Sequence, residues 1–195
     1  MRSCAVPLAL AAALAAAGAG CGDDEPAARP AAAGAATTTA PAATTTAARS
    51  ALQRNAAEAN ELVGEGARAL KARLASLKGH PVVVNQWASW CGPCRLEFPF
   101  FAAAVRRHGA RVAFVGIDYM DSRAAATALL DEVPPGFPSV YDGDGKAARA
   151  IGGGRAMPTT IFLGRDGRVR HTKLGGYANA TELEADIRRF ALRSR

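Results

Sequence analysis

At 195 residues the chain can hold one folded domain with extensions, and its 24 lysines and arginines outnumber 17 acidic residues to give a net charge of +7. The basic residues are scattered without a nucleic-acid-binding motif, so we expect no nucleic-acid partner. The four cysteines (Cys4, Cys21, Cys91 and Cys94) are too few for a small scaffold held together by disulfides.

The first residues have the composition of an export signal. Residues 5–20 are almost all alanine, leucine, glycine and valine, a run that is short for a membrane span but suits the apolar core of a signal peptide. The run ends at Ala19-Gly20-Cys21, which resembles the end of a bacterial lipobox, whose cysteine is lipidated and becomes the mature N-terminus. We predict a signal peptide over residues 1–21 with lipid attachment at Cys21; ordinary cleavage between small residues is the alternative.

Residues 22–50 have a different composition. They contain no valine, leucine, isoleucine, methionine or aromatic residue and consist mainly of alanine, threonine and proline. Such a segment cannot bury enough apolar surface to offset the entropy lost on ordering, which predicts a disordered tether. The folded domain is therefore expected over residues 51–195, joined by the tether to a membrane anchor.

Ordered structure is expected from about residue 66. Apolar side chains recur at spacings of three and four residues from Ala67 to Leu77, which predicts one apolar face of a helix. Gly79-His80-Pro81 ends this helix. The β-branched run Val82–Val84 then predicts a short strand that is buried on both faces.

Two cysteines stand where the next helix begins, in Trp90-Cys91-Gly92-Pro93-Cys94. Pro93 suits the first turn of a helix, because the N–H that proline lacks would be unpaired there. The partial positive charge of a helix N-terminus favours a thiolate, so Cys91 is expected to be the nucleophile. Cys94 can then attack a mixed disulfide and close the ring. A structural disulfide is the alternative, whereas a zinc site would need a second cysteine pair, which does not follow Cys94.

The remaining segments alternate between helical and extended patterns. The predicted helices cover residues 93–107, with Leu96, Phe100, Phe101 and Val105 facing inward, residues 122–131, with Asp121 or Ser122 as N-cap, and a last segment opened by a Thr181–Glu184 capping box. The predicted strands are Val112–Ile117, Ser139–Tyr141, Thr159–Leu163 and Arg168–Leu174, the last two joined by a turn at Arg165-Asp166-Gly167.

The cysteine motif and its surroundings resemble a known family. Trp90–Cys94 matches the active site of thioredoxin. A longer pattern resembles the TlpA/ResA-type exported thioredoxin-like proteins: Val84-Asn85-x-Trp87-Ala88-Ser89-Trp90-Cys91-x-Pro93-Cys94-Arg95-x-Glu97-x-Pro99. The resemblance implies an α/β thioredoxin-like fold, with a central mixed sheet flanked by helices. It also implies an additional strand–helix unit, and residues 121–141 are the candidate for part of it.

The same resemblance assigns further site residues. Pro158 matches the family's cis-proline, which would leave the backbone of Met157 free to pair with an extended substrate; an ordinary trans proline is the alternative. Glu97, one helical turn after Cys94, matches a glutamate linked to cysteine reactivity, and we assign it as the proton acceptor for Cys94. The other predicted substrate contacts are Trp90, Gly92, Pro93 and Thr159.

The predicted function is that of an extracytoplasmic thiol:disulfide oxidoreductase. The resemblance implies a protein disulfide reductase that acts through a mixed disulfide, on exported thiol proteins such as apocytochrome c. A membrane electron donor would have to reset the cysteine pair, and no cofactor or metal is expected. The predicted location is the outer face of the bacterial cytoplasmic membrane, with the lipid on Cys21 as the anchor.

Three other functions stay open at this point. A peroxiredoxin-like thiol peroxidase would need one peroxide-reactive cysteine in a different setting. A copper-delivery protein of related fold would need a wider cysteine spacing and a matched histidine, for which only His171 is available. A passive binding domain is the third. His108 and His171 are expected on the surface, and Trp87 is expected in the core.

Overall fold

A computed structural model of the protein describes residues 51–193. The predicted signal peptide, the lipidation site Cys21 and the tether over residues 22–50 lie outside the described residues. In the part of the chain that is described, no helix is both long enough and apolar enough to cross a membrane.

Strands and helices alternate along the described chain. The strands are β1 (Leu62–Glu65), β2 (Val82–Trp87), β3 (Ala113–Tyr119), β4 (Ser139–Asp142), β5 (Thr159–Leu163) and β6 (Val169–Leu174). The helices are α1 (51–57), α2 (Gly66–Ser76), α3 (Gly92–His108), α4 (Arg123–Glu132), α5 (Lys146–Ala150) and α6 (Ala180–Asp186), and a π-helical turn, Ile187–Leu192, continues α6.

The six strands form one mixed sheet in the order β1-β4-β3-β2-β5-β6. The first four of these strands run parallel to one another, whereas β5 is antiparallel to both β2 and β6. This central mixed sheet with its helices is the predicted fold class. The helix α4 and all but the last residue of β4 fall in residues 121–141, the segment predicted to hold part of the additional strand–helix unit.

All six residues of β2 are buried, because helices cover both faces of the sheet. Val83 and Trp87 belong to a core cluster that includes side chains of α3, α4 and α6. Val82 and Val84 belong to a second cluster, with side chains of α2 and α5. The run of valines thus fills both layers of the core, and the predicted core position of Trp87 is confirmed.

The carboxyl ends of β2 and β3 lie side by side, with Trp87 paired to Asp118. Beyond Trp87 the chain turns directly into α3, whose N-cap is Cys91. Beyond Asp118 it turns into α4, whose N-cap is Ser122. Two loops therefore meet at this edge of the sheet, and one of them carries the cysteine motif.

The helix α3 departs from the prediction at one position. Phe101 is buried, and Phe100 and Val105 pack partly buried against the core, as expected. Leu96, which was expected to face the core, is 73% exposed. The buried positions recur at spacings of three, one and four and so form a single inward stripe: Cys94, Glu97, Phe98, Phe101, Ala104 and His108. A polar residue, Glu97, thus occupies a place on the inner face that the hydrophobic pattern assigned to leucine.

The cap of α6 also differs from the prediction. The N-cap is Asn179 rather than Thr181, since Asn179 Oδ1 accepts a hydrogen bond from the Glu182 N–H at 3.1 Å. Glu184, which was expected to close the capping box, lies 2.9 Å from Nε2 of His108 instead. His108 is consequently buried, so its predicted surface position is wrong.

Candidate active site

Cys91 and Cys94 form a disulfide at the N-terminus of α3, with their Cα atoms 5.3 Å apart. Cys91 Sγ accepts a hydrogen bond from the Cys94 N–H at 3.3 Å. Cys91 keeps 4% of its surface exposed and Cys94 none, while Gly92 and Pro93 between them are exposed. Cys91 is thus the cysteine nearer the surface, and it lies at the positive end of the helix, where a thiolate is favoured once the pair is reduced.

Trp90 lies on the solvent side of the disulfide. Its side chain is 58% exposed, and its indole N–H donates to the carbonyl oxygen of Met120 at 3.3 Å. The Met120 side chain is also exposed. These two residues present exposed apolar surface beside the loop that carries Cys91.

Asp121 holds the segment that precedes Cys91. Its carboxylate accepts hydrogen bonds from the N–H of Ser89 and, at 2.8 Å, from the Ser89 hydroxyl. These bonds join the loop after β2 to the loop after β3. They hold the backbone at Ser89, from which the chain continues to Trp90 and Cys91. From the sequence, Asp121 is expected only as a helix cap; Ser122 takes that role.

Glu97 is buried one turn after Cys94 on the same face of α3. Its Oε1 accepts a hydrogen bond from Asn85 Nδ2 at 2.8 Å, and its Oε2 accepts one from the Tyr177 N–H at 3.1 Å. Burial raises the pKa of Glu97 to about 7, against the lowering effect of these two hydrogen bonds and of the charge on Lys173. A carboxyl group that titrates near neutral pH can take up and release protons under physiological conditions.

The Met157–Pro158 peptide bond is cis, which is the conformation that the resemblance implies. Pro158 is buried, Met157 is half-buried, and Thr159 opens β5. A Cβ atom placed on Gly176 would lie 3.5 Å from Pro158 Cγ and 3.7 Å from Glu97 Oε2. The proline and the glutamate therefore border the same small space.

Asp118, at the end of β3, is a second buried carboxyl group. Neither of its oxygens accepts a hydrogen bond from the described residues. The pKa of Asp118 is raised to about 8, mainly by burial. The negative charge of Asp121 and its hydrogen bond with Asp118 raise the pKa further. As a neutral acid, Asp118 can donate a hydrogen bond to Asp121. Two ionised carboxylates could not form this bond, because neither carries a proton.

No group of three or more histidine, cysteine, aspartate or glutamate side chains within residues 51–193 is arranged to hold a metal ion. His171, the histidine considered for a copper site, is half-buried and stacks on Phe190 with the ring centroids 4.0 Å apart.

The structure brings most of the predicted site residues to one edge of the sheet. Cys94 and Glu97 share the inner face of α3, and Pro158 meets Glu97 across Gly176. Trp90, Gly92 and Pro93 form the exposed side. Three side chains bond to neighbours of this group, and sequence reasoning assigned none of them a role at the site: Gln86 bonds to Met157, Asp121 to Ser89 and Lys173 to Gly176.

Comparison with known proteins agrees with this geometry. The chain is 38% identical over 100 residues to the thiol:disulfide interchange protein DsbE of Allochromatium vinosum, covering 51% of this chain and 54% of that protein. It is 29% identical over 113 residues to the thiol-disulfide oxidoreductase ResA of Bacillus subtilis, covering 57% and 63%. A crystal structure of a DsbF homologue from Corynebacterium diphtheriae superposes with a TM-score of 0.54 at 31% identity, covering 60% of this chain and 75% of that one.

The Redoxin family model matches residues 36–187, and the chain belongs to this family. The predicted resemblance to TlpA/ResA-type thioredoxin-like proteins and the predicted fold class are confirmed by these similarities. The chain spans about half the length of the curated relatives that it matches first.

Proposed function

We propose that the protein is a thiol:disulfide oxidoreductase that reduces disulfide bonds of exported proteins with the Cys91–Cys94 pair. The observation that carries this proposal is the position of the two sulfurs. Cys91 caps the positive end of α3 near the surface, and Cys94 is enclosed on the face that holds the buried carboxyl group of Glu97. One sulfur is therefore placed to attack an external disulfide, and the other is placed to resolve the product.

The proposed cycle starts from the reduced pair. The Cys91 thiolate attacks one sulfur of the substrate disulfide; a bond forms between Cys91 and the substrate, the substrate S–S bond breaks, and a first thiolate leaves. Cys94 then loses its proton, and its thiolate attacks Cys91 Sγ. The mixed disulfide breaks, a second substrate thiolate leaves, and the Cys91–Cys94 disulfide closes. The substrate has gained two electrons, which the cysteine pair has lost.

Glu97 is the proposed acceptor for the Cys94 proton, directly or through one water molecule. Its buried carboxyl group lies on the same helix face one turn away, and its pKa of about 7 leaves a substantial ionised fraction at neutral pH. The hydrogen bonds from Asn85 and the Tyr177 N–H keep both carboxyl oxygens in fixed positions. A proton transferred from Cys94 thus stays inside the site until the disulfide has closed.

The proposed substrate-binding surface surrounds Cys91. Trp90, Gly92 and Pro93 are exposed on one side of the cysteine. We expect the backbone of Met157, just ahead of β5, to pair with an extended peptide. A substrate that offers a disulfide in an extended segment fits this surface better than a small compact one.

The proposed setting is the outer face of a bacterial cytoplasmic membrane. The leader-like composition of residues 1–21 supports export and lipid attachment at Cys21. The kinship with proteins named thiol:disulfide interchange protein supports a role for exported thiol proteins, with apocytochrome c as the proposed example. Because the cycle ends with an oxidised pair, a membrane protein that donates two electrons must restore it.

The reduction potential of the Cys91–Cys94 pair tests this function. It would be measured on the full chain with Cys4→Ser and Cys21→Ser, so that only one pair titrates. We expect a value near the reducing end for this fold, roughly −270 mV, together with reduction of a disulfide-containing test protein that is lost in Cys91→Ser. A value near roughly −120 mV would instead make the protein a donor of disulfides and overturn the reductase assignment.

A further inference from the structure

Lys173, on β6, is connected to Glu97 through one peptide group. Its Nζ donates to the carbonyl oxygen of Gly176 at 3.0 Å. The N–H at the other end of that same peptide group belongs to Tyr177, and it donates to Glu97 Oε2 at 3.1 Å. An ammonium group and a carboxyl group thus bind the two ends of a single peptide dipole.

The orientation of this dipole favours the ionised form of Glu97. A cation at the carbonyl oxygen polarises the peptide group and makes its N–H a stronger hydrogen-bond donor. A stronger donor stabilises a carboxylate more than a neutral carboxyl group. The charge on Lys173 also acts on Glu97 directly, in the same direction.

Lys173 is itself held in place. Its Nζ lies 4.8 Å from the centroid of the Tyr177 ring, in cation–π geometry. The Tyr177 hydroxyl donates to Asp186 Oδ2 at 3.1 Å, which fixes the ring on the side of α6. The side chain is half-buried and therefore less screened by solvent than a surface lysine.

We propose that Lys173 is a positioning residue of the active site, which keeps Glu97 ionised and oriented toward Cys94 through the Gly176–Tyr177 peptide group. This inference rests on the proposed role of Glu97 as proton acceptor. It assigns a function to a residue of β6, an edge strand that β5 separates from β2 in the sheet, 76 positions beyond Glu97 in the chain.

The other groups around Glu97 do not take this role. Asn85 from β2 is a neutral donor, and Cys94 on the same helix is the proton source. The Tyr177 phenol stays neutral, because burial and the charge of Asp186 raise its pKa well above the usual range. Lys173 is thus the cation that acts on Glu97 among the described residues.

The test follows the ionisation of Glu97 by carbon-13 NMR of its carboxyl carbon in the oxidised full chain. Glu97→Gln identifies the signal. We expect Lys173→Met to lower the ionisation constant of Glu97 about threefold to tenfold, so that the titration midpoint moves to higher pH. Lys173→Arg, which keeps the charge, should restore most of the difference.

Two further variants separate the charge from other effects. Lys173→Gln keeps a donor for Gly176 without the charge, and it should titrate like Lys173→Met. Lys71→Met removes an exposed lysine on α2 and should leave the midpoint unchanged. If Lys173→Gln and Lys173→Met both titrate like the unmodified chain, the inference is overturned, and Lys173→Gln decides the matter should Lys173→Met fold poorly.

A kinetic measurement distinguishes this inference from the function on which it rests. The mixed disulfide between Cys91 and a small test thiol is formed, and its resolution by Cys94 is followed from pH 6 to pH 9. If Glu97 is the acceptor, Lys173→Met moves the pH profile upward and Glu97→Gln flattens it. A flat profile in the unmodified chain, with a shifted NMR midpoint in Lys173→Met, would reject Glu97 as acceptor while supporting the connection to Lys173.

Discussion

Gln86 and Met157 are joined by a short hydrogen bond, in which the Gln86 amide donates to the Met157 sulfur at 2.7 Å. The same side chain accepts a hydrogen bond from the Gly154 N–H at 2.7 Å. Gln86 is fully buried near the end of β2, five residues before Cys91. The strand that leads to the nucleophile therefore also fixes the loop that carries the cis-proline.

Gln86→Leu should weaken this loop. The substitution leaves the Gly154 N–H without its buried partner, so we expect the free energy of unfolding to fall by about 1–3 kcal/mol, measured by urea denaturation. We also expect slower exchange with a peptide disulfide, since the Met157 backbone is less well placed. The control is Gln53→Leu, at an exposed position of α1, which should change neither quantity.

Glu97→Gln should slow the second step of exchange more than the first. A glutamine cannot accept the Cys94 proton, and loss of a positioned base costs about 100-fold or more in rate. In the unmodified chain this step should accelerate as pH rises through about 7, where Glu97 ionises, and the acceleration should vanish in the variant. Stopped-flow measurement with Glu61→Gln, an exposed glutamate, as control checks both points; equal rates in both variants would contradict the role of Glu97.

Asp118 should make the protein less stable at alkaline pH. Its pKa is 3.8 ordinarily and about 8 in the folded protein. Between these values the folded state binds more protons than the unfolded state, so the free energy of unfolding falls as pH rises. Asp118→Asn removes this titration, and the fall in the free energy of unfolding between pH 5 and pH 8 should become smaller by roughly 3–4 kcal/mol. Asp131→Asn, on the exposed face of α4, should leave the curve unchanged, and an unchanged curve in Asp118→Asn would refute the shift.

Gly116→Ala should disturb the packing behind the disulfide. A Cβ atom at Gly116 would overlap Ser139 Oγ and lie 2.7 Å from Trp87 Nε1, two atoms that hydrogen-bond to each other at 3.1 Å. We expect a loss of about 2–3 kcal/mol in the free energy of unfolding. Gly92→Ala is the matched control, because nothing lies within 4 Å of its added Cβ; a similar loss in both would show that the space around Gly116 is not the cause.

The fold was predictable because its strongest local signals agree with one another. The valine run of β2, the proline after Cys91 and the turn between β5 and β6 each predict an element that the structure contains. The strand β1 was not predictable: it has four residues, and Gly64 within it has a φ of +90°. Its pairing with β4 depends on a contact between distant segments, which no local pattern shows.

The difference between local signals and contacts of distant segments also explains which parts of the site could be predicted. Cys91, Cys94 and Glu97 lie on one helix, so their relation follows from helical spacing. The contacts of Asp121 and Lys173 join segments from different loops and strands, and depend on the sheet order. The prediction of the cap of α6 was wrong for another reason. Asn179 and Thr181 are both good N-cap residues by sequence, and the contact of Glu184 with His108 favours Asn179.

The two tryptophans give the protein an optical signal of its own redox state. Both stand within four residues of Cys91, yet Trp87 is fully buried and Trp90 is 58% exposed. An excited indole can pass an electron to a neighbouring disulfide but not to a pair of thiols, so oxidation should dim the tryptophan emission, that of Trp87 included, since Trp87 lies in the same core cluster as both cysteines. The buried Trp87 emits at shorter wavelength, because no water relaxes around it. The shape of the emission spectrum, and not only its intensity, should therefore change when the cysteine pair is oxidised or reduced. The redox state can thus be followed by intrinsic tryptophan fluorescence.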